Sequence, residues 1–157
     1  MDAIHKSTIK KVIHDIGEHL SITCLLVSHD PLDTLPWADN IIVMKDGEIV
    51  QQNTPYNIYH QPVNKYCAGL FGNYTLIEEH GKKFFFRPEH FVLSASKKDD
   101  QSPAIVQSIS FCGAYFLVTL LCEGTLYYVT YDKNDLVPGL KVFIDMHPNH
   151  RKAWVLP

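Results

Sequence analysis

The sequence predicts an α/β segment over residues 1–74, followed by an all-β domain over residues 75–157. Before residue 75, apolar residues at helical spacing alternate with short continuous apolar runs. After it, short β-branched and aromatic runs recur between turn residues, which is typical of a small antiparallel barrel or sandwich. With 157 residues, 46% of them hydrophobic and 20% charged, the chain has the composition of a globular protein of one or two small domains.

The elements of the first 44 residues follow from their apolar pattern. Helical spacing predicts a helix over residues 4–20 that ends before Ser21. The continuous apolar runs 22–27 and 41–44 predict strands covered on both faces, as in the centre of a parallel sheet. Between them, residues 31–38 predict a short helix with proline in its first turn. Because open strand edges invite pairing, we expect a dimer, a swapped element or local disorder within residues 1–50.

The next elements are predicted from turn and cap residues. Asp46 and Gly47 supply the positive φ angles of a tight hairpin turn, so residues 48–52 are expected to return as a strand. Thr54 and Pro55 are an N-cap and a first-turn residue for a helix that reaches His60. A second short helix is expected after Pro62, ending near residue 70.

The all-β domain is predicted to contain eight short strands, to fold independently and to carry no catalytic group. The predicted strands cover residues 75–78, 83–87, 91–94, 104–111, 115–121, 126–131, 141–144 and 153–156.

Composition and motifs exclude several functions. A net charge of -3 disfavours nucleic-acid binding, because such proteins usually carry a basic excess. The four cysteines form no C-x-x-C pair and lie among apolar residues, which predicts free buried thiols. His147 and His150 flank Pro148 and are expected in a solvated loop, so no metal site is predicted. The sequence contains no phosphate-binding loop, no Walker B carboxylate pair and no complete set of catalytic residues.

His29 is the one candidate functional residue that this pattern singles out. It follows the predicted strand 22–27, and ligands of open α/β sheets bind beyond the carboxyl ends of the strands. A histidine there can donate a hydrogen bond to an anion. The alternative is a structural histidine that bonds a nearby carbonyl, and the chemistry alone leaves both interpretations open.

Residues 23–33 resemble the switch-histidine segment of ABC transporter ATPases. Further segments occur in the same order and at the same spacing as in this family. They are Ala38 and Asp39, the run 41–44, the turn 45–51, the motifs Asn53-Thr54-Pro55, Ile58-Tyr59 and Pro62, and residues 66–72. Residues 86–89 resemble the Arg-Pro-Glu motif of the TOBE domain that follows the ATPase domain in importer ATPases. Two departures are Pro31 in place of the usual glutamine and Asn53 in place of the usual glycine.

The resemblance implies that residues 1–74 are the C-terminal part of an ABC ATPase domain and that residues 75–157 form an OB-like (TOBE) barrel. It implies that His29 is the catalytic switch histidine that contacts the γ-phosphate of ATP. It also places Asp2 at the end of the D-loop, which acts across the dimer interface, although a helix N-cap explains Asp2 equally well.

The same resemblance implies ATP and Mg²⁺ as cofactors of the intact ATPase, with none expected on this fragment. The expected partners are a second copy of the ATPase subunit and membrane permease subunits, with no nucleic acid, at the cytoplasmic face of the membrane. The family's phosphate loop and Walker B strand are absent from these 157 residues, so the chain alone is expected to be inactive. The alternatives are a stand-alone TOBE-type module for a small oxyanion and a structural dimerisation module.

Overall fold

The computed structural model describes residues 11–13, 15–17, 19–31, 34–96, 101–148 and 154–156. The chain divides into two compact units, Met1–Asp30 and Pro31–Pro157. The predicted domain boundary after residue 74 falls inside the second unit and stays a prediction. Over the described residues, every helix is too short or too polar to span a bilayer.

Within its described residues, the first unit contains the C-terminal part of the helix that the apolar spacing predicts, while residues 4–10 of that prediction lie outside the described residues. Residues 11–13, 15–17 and 19–20 are helical. The helix ends because Ser21 adopts a left-handed conformation with φ 52°, and the Ile22 N–H donates to the Gly17 carbonyl at 3.2 Å. This backbone hydrogen bond is the one that closes a Schellman motif, so the predicted stop before Ser21 is confirmed.

The strand predicted over residues 22–27 is wrong. These residues form no strand, and the side chains of Leu25 and Val27 are 84% and 89% exposed. A strand covered on both faces needs ladder hydrogen bonds at its edges and packed layers above and below it. No strand in the described part of the chain pairs with this run, so a high β propensity alone does not make it a strand.

Residues 34–37 form turns, where a short helix over 31–38 was predicted. The amides of Thr34 and Leu35 both donate to the Pro31 carbonyl, and Ala38 donates to Thr34. These hydrogen bonds mix three- and four-residue spacings, as at the end of a helix.

Strands β1 (Ile41–Lys45) and β2 (Glu48–Asn53) form an antiparallel hairpin. The predicted turn is confirmed, since Asp46 and Gly47 have φ angles of 52° and 84°. The predicted parallel environment is wrong, because β1 buries only alternate side chains. Ile41 and Val43 are buried, whereas Ile42 and Met44 are 44% and 57% exposed, as expected for a hairpin packed on one face.

Two short helices follow, α1 (Pro55–His60) and α2 (Lys65–Leu70). The Thr54 hydroxyl accepts the Asn57 N–H at 3.4 Å, so the predicted cap of α1 is confirmed. Helix α2 begins three residues after Pro62 because the Asn64 side chain caps it, accepting the Cys67 N–H at 2.9 Å. The hairpin and helices share a small core of Ile41, Val43, Ile58, Cys67 and Phe71.

Each of the eight predicted strands is present with boundaries shifted by no more than a few residues. They are β3 (Thr75–Glu79), β4 (Lys82–Phe86), β5 (Phe91–Ser94), β6 (Ser102–Phe111), β7 (Phe116–Cys122), β8 (Thr125–Tyr131), β9 (Lys141–Met146) and β10 (Trp154–Val155). A 3₁₀ helix, Pro88–His90, connects β4 to β5.

The strands form two antiparallel sheets, in the orders β10-β4-β3 and β5-β9-β6-β7-β8. Both sheets contribute to one core, in which Phe86 of β4 packs with a cluster that includes Val106, Val118 and Leu120. The described strands do not close the predicted OB-like barrel. Between β3 and β8 the Tyr128 N–H donates to the Thr75 side-chain hydroxyl at 3.1 Å, and no ladder pairs these two strands.

Tyr131 of β8 makes stability depend on pH. Its hydroxyl donates to the Asp135 carboxylate at 2.8 Å, and burial, followed by this hydrogen bond, raises the pKa of Tyr131 to about 12. An unfolded tyrosine ionises near pH 10. The native state therefore retains a proton that the unfolded chain has lost, so this contribution to stability is complete below about pH 10 and falls as the pH rises toward about 12.

We expect the stability advantage of the wild type over Tyr131→Phe to shrink as the pH rises from about 9 to about 11.5. Urea unfolding of both proteins across this range measures the difference, and the comparison cancels the titration of the other tyrosines. A difference that does not change with pH would contradict the assignment of this titration to Tyr131.

Candidate functional site

His29 is exposed and lies in a bend directly after residues 22–27. The Ser28 hydroxyl shapes this bend, since it accepts the Asp30 N–H at 3.0 Å and also contacts the Asp30 carbonyl at 3.2 Å. An exposed imidazole can reach a ligand outside the chain, but no strand end positions it, in contrast to the prediction. Asp2, the other predicted site residue, lies outside the described residues.

Arg87 is the most deeply placed charged residue that the structure describes, with 0% of its surface exposed. Its Nε donates to the Tyr59 carbonyl at 3.1 Å. Its Nη1 donates to the carbonyls of Ala68, Gly72 and Asn73, at 3.0, 3.2 and 3.3 Å. Ala68 lies in the last turn of α2, whose carbonyls lack helical partners and attract a cation. Arg87 thus holds the end of α2 against the segment between β4 and the 3₁₀ helix of the β domain.

Two aromatic rings and one unused donor complete the surroundings of Arg87. The guanidinium carbon lies 4.1 Å from the centre of the Tyr59 ring and 4.8 Å from that of Phe85. Such contacts stabilise a cation against the negative face of a ring. Nη2 is buried and has no hydrogen-bond partner among the described residues. Burial lowers the pKa of Arg87, while Tyr59 and Glu89 favour its charged form.

Glu89 extends this arrangement toward the surface. Its carboxylate accepts a hydrogen bond from the Tyr59 hydroxyl at 3.3 Å. Burial and then the Glu89 carboxylate raise the pKa of Tyr59 well above its usual range, although Arg87 acts in the opposite direction. Tyr59 therefore stays protonated at neutral pH and keeps donating to Glu89.

His60 and His90 lie beside Glu89. One possible ligand atom from each of the three side chains lies within 4.8 Å of the others. His60 Nδ1 lies 2.9 Å from the Tyr56 carbonyl, and His90 Nδ1 accepts the Arg87 backbone N–H at 3.2 Å. The two rings are stacked with their centres 6.3 Å apart. His60 is half-buried and His90 is buried.

Sequence reasoning missed this cluster. The sequence identifies Arg87 and Glu89 only as part of the segment 86–89 that resembles the Arg-Pro-Glu motif of the TOBE domain. Tyr59 and His60 lie 28 and 27 residues before Arg87, so no local pattern joins them to it. One signal was available, because an arginine that directly follows the apolar triplet 84–86 is poorly placed to reach water.

Two cavities flank the β domain, with volumes within the usual range for ligand pockets. The larger, of about 490 Å³, is lined by Gly69, Gly72, Asn73, Tyr74, Leu76, Thr125, Leu126 and Tyr128. The smaller, of about 360 Å³, has an aromatic lining with two carboxylates, Glu79 and Asp145. No lysine or arginine of the described chain lines either cavity, so neither cavity offers a cationic side chain to an oxyanion.

The four thiols are free, and only two of them are buried. Burial raises the pKa of Cys67 and of Cys122, which keeps these thiols protonated and unreactive. Cys24 and Cys112 are exposed, so the prediction of buried thiols is wrong for these two.

Homologues of the chain are ATP-binding subunits of ABC importers, and the chain matches the C-terminal part of those proteins. It is 26% identical over 149 residues to the spermidine/putrescine import ATP-binding protein PotA of Bacteroides fragilis, covering 79% of the chain and 32% of that protein. It is 30% identical over 125 residues to the sulfate/thiosulfate import ATP-binding protein CysA of Pseudomonas putida, covering 79% of the chain and 38% of that protein.

A shorter and closer match is the Fe(3+) ions import ATP-binding protein FbpC of Photobacterium profundum, which is 36% identical over 73 residues. That match covers 46% of the chain and 21% of the relative. No protein-family model matches the chain. The chain thus spans roughly a third of the length of the PotA and CysA relatives, 32% and 38% respectively.

Proposed function

We propose that the chain is the C-terminal portion of the ATP-hydrolysing subunit of an ABC importer, with a switch histidine at position 29 and a TOBE domain over residues 75–157. The observation that carries this proposal is the similarity to importer ATP-binding subunits, which extends over 79% of the chain. These relatives are named for import of different solutes, a polyamine and a sulfur oxyanion among them, so the proposal leaves the transported solute open.

The role proposed for His29 follows from phosphoryl-transfer chemistry. Charge on the transferred phosphoryl group is stabilised by donors placed beside it, and a positioned imidazole N–H is such a donor. The exposure of His29 supports contact with a nucleotide that other parts of the ATPase hold. The chain's own residues do not fit the remaining needs of Mg²⁺ and ATP, because the sequence has neither a glycine-rich phosphate loop nor a Walker B pair.

The β domain is proposed as a TOBE domain that makes regulatory or dimer contacts with a second copy of the subunit. Support comes from the Arg-Pro-Glu word at residues 87–89 and from the eight short antiparallel strands. The hydrogen bonds from Arg87 to residues of α1, of α2 and of the segment that follows it provide a firm connection through which such contacts could act on residues 41–72. The remaining proposed partners are permease subunits, at the cytoplasmic face of the membrane.

The purified 157-residue chain is expected to release no phosphate from ATP in the presence of Mg²⁺. The physical reason is that the ligands for the phosphates and for the metal are missing from this sequence. Phosphate release is measured for the wild type and for His29→Ala, which serves as the matched control for contaminating ATPases. Turnover by the wild type above that of the variant would contradict the proposal, since it would require a complete catalytic site within these residues.

A further inference from the structure

We propose that His60, Glu89 and His90 form a binding site for a divalent transition metal, of which Zn²⁺ is the best fit. Two imidazoles and one carboxylate are a common ligand set for zinc, with further positions left to water. The ligand atoms lie within 4.8 Å of one another. Zinc bonds of about 2.0–2.2 Å require the ligand atoms to lie roughly 3.5 Å from one another. Side-chain rotations that move these atoms by about 1 Å would bring them to that spacing.

His60 and Glu89 already have the outer partners that metal ligands need. A ligating histidine usually donates its other ring N–H to a carbonyl, which fixes the ring and leaves the remaining nitrogen to the metal. His60 has this arrangement when its Nδ1 carries the proton, because that atom lies 2.9 Å from the Tyr56 carbonyl. The Glu89 carboxylate is oriented in the same sense by the Tyr59 hydroxyl at 3.3 Å.

His90 links metal binding to a backbone hydrogen bond. Its Nδ1 accepts the Arg87 N–H, so a neutral ring carries its proton on Nε2. If the metal binds Nδ1, it replaces the Arg87 N–H. If it binds Nε2, the proton moves to Nδ1 and faces that same N–H. In both cases the hydrogen bond between the Arg87 N–H and His90 breaks when the metal binds. The Arg87 amide, which is not itself a ligand, therefore reports metal binding.

The site joins two elements that are far apart in the sequence. His60 ends α1, while Glu89 and His90 belong to the 3₁₀ helix Pro88–His90, which connects β4 to β5. A bound metal would therefore fix α1 against this helix. The guanidinium of Arg87 lies close enough to Glu89 for a favourable charge interaction. Because Glu89 is a proposed ligand, the positive charge of Arg87 would repel the bound metal ion and weaken its binding. We accordingly expect micromolar affinity for Zn²⁺.

Calorimetric titration of the 157-residue chain with ZnCl₂ tests the site. We expect one saturable micromolar event, weakened about tenfold or more in both His60→Gln and Glu89→Gln. The glutamine at position 89 keeps an acceptor for Tyr59. The matched control is His80→Asn, since His80 is an exposed histidine on the β3–β4 turn with φ 52°, a conformation that asparagine tolerates. This variant is expected to bind Zn²⁺ as the wild type does.

A second measurement uses only the wild type and so does not depend on variants that fold. In an amide NMR spectrum, Zn²⁺ is expected to shift the Arg87 N–H signal in a saturable way, because the hydrogen-bond acceptor of this amide is lost. The proposal is overturned if the chain shows no saturable micromolar binding. It is equally overturned if both site variants, folded by circular dichroism, bind like the wild type, or if the Arg87 amide is unchanged at saturation.

Discussion

Replacing His29 by alanine is expected to lower kcat by about 10²-fold or more in an intact ATPase whose C-terminal part is this chain, the scale of losing one transition-state donor. The reason is that a donor beside the transferred phosphoryl group acts mainly as charge redistributes during the reaction, so its removal leaves nucleotide binding largely intact. We therefore expect KM for ATP to change much less than kcat. Steady-state phosphate release over a range of ATP concentrations separates the two effects.

His19→Ala is the matched control for this experiment. His19 is also an exposed histidine of the first unit, located on the helix ten residues before His29. The His19→Ala variant should leave both kcat and KM for ATP unchanged. A normal kcat in the His29 variant would show that position 29 is not the switch histidine, while an equal loss in both variants would point to damage to the first unit as a whole.

Arg87→Ala is expected to reduce the free energy of unfolding by about 3 kcal/mol or more, because each buried carbonyl left without its donor costs about 1–3 kcal/mol. Four carbonyls lose a charge-assisted donor, and the rings of Tyr59 and Phe85 lose the cation that lies against them. Arg87→Lys should restore only a small part, because an ammonium group cannot reproduce the spread of the guanidinium nitrogens over carbonyls on separate segments.

Urea unfolding followed by circular dichroism measures these differences, with Lys133→Ala as the control. Lys133 is an exposed cation of the same β domain, so its removal should change stability by no more than about 0.5 kcal/mol. If Arg87→Ala proved as mild as the control, the hydrogen bonds from its guanidinium would contribute no more to stability than surface contacts do.

Elements whose cause lies within a few residues could be predicted from the sequence. Asp46 and Gly47 form the hairpin turn through their positive φ angles, Thr54 caps α1, and Ser21 ends the helix of the first unit. The strands of the β domain were predicted because alternating residues facing one core leave a pattern in each strand separately. Closure of a barrel leaves no such pattern, since it depends on the pairing of strands such as β3 and β8 that are distant in sequence.

The wrong predictions share one cause, which is that a local sequence pattern does not indicate which distant segment a residue will contact. Residues 22–27 have the composition of a buried strand, but a ladder also needs a neighbour, and the described chain provides none. The candidate metal ligands had the opposite difficulty. His60, Glu89 and His90 each look like ordinary polar residues, and only the fold brings them within 4.8 Å. His29, in contrast, was singled out by its position after the predicted strand 22–27 and by the resemblance of residues 23–33 to a switch-histidine segment, and its catalytic role stays a prediction.

The hydrogen bonds of the Arg87 guanidinium end on main-chain oxygens, at Tyr59, Ala68, Gly72 and Asn73. Every amino acid carries such an oxygen, so the side chains at positions 68 and 73 can drift during evolution without removing an acceptor. Related sequences should therefore show an intolerant position 87 with no compensating exchange at those two positions. Methods that detect contacts through correlated substitutions would overlook this interaction, even though it links two parts of the chain that are distant in sequence.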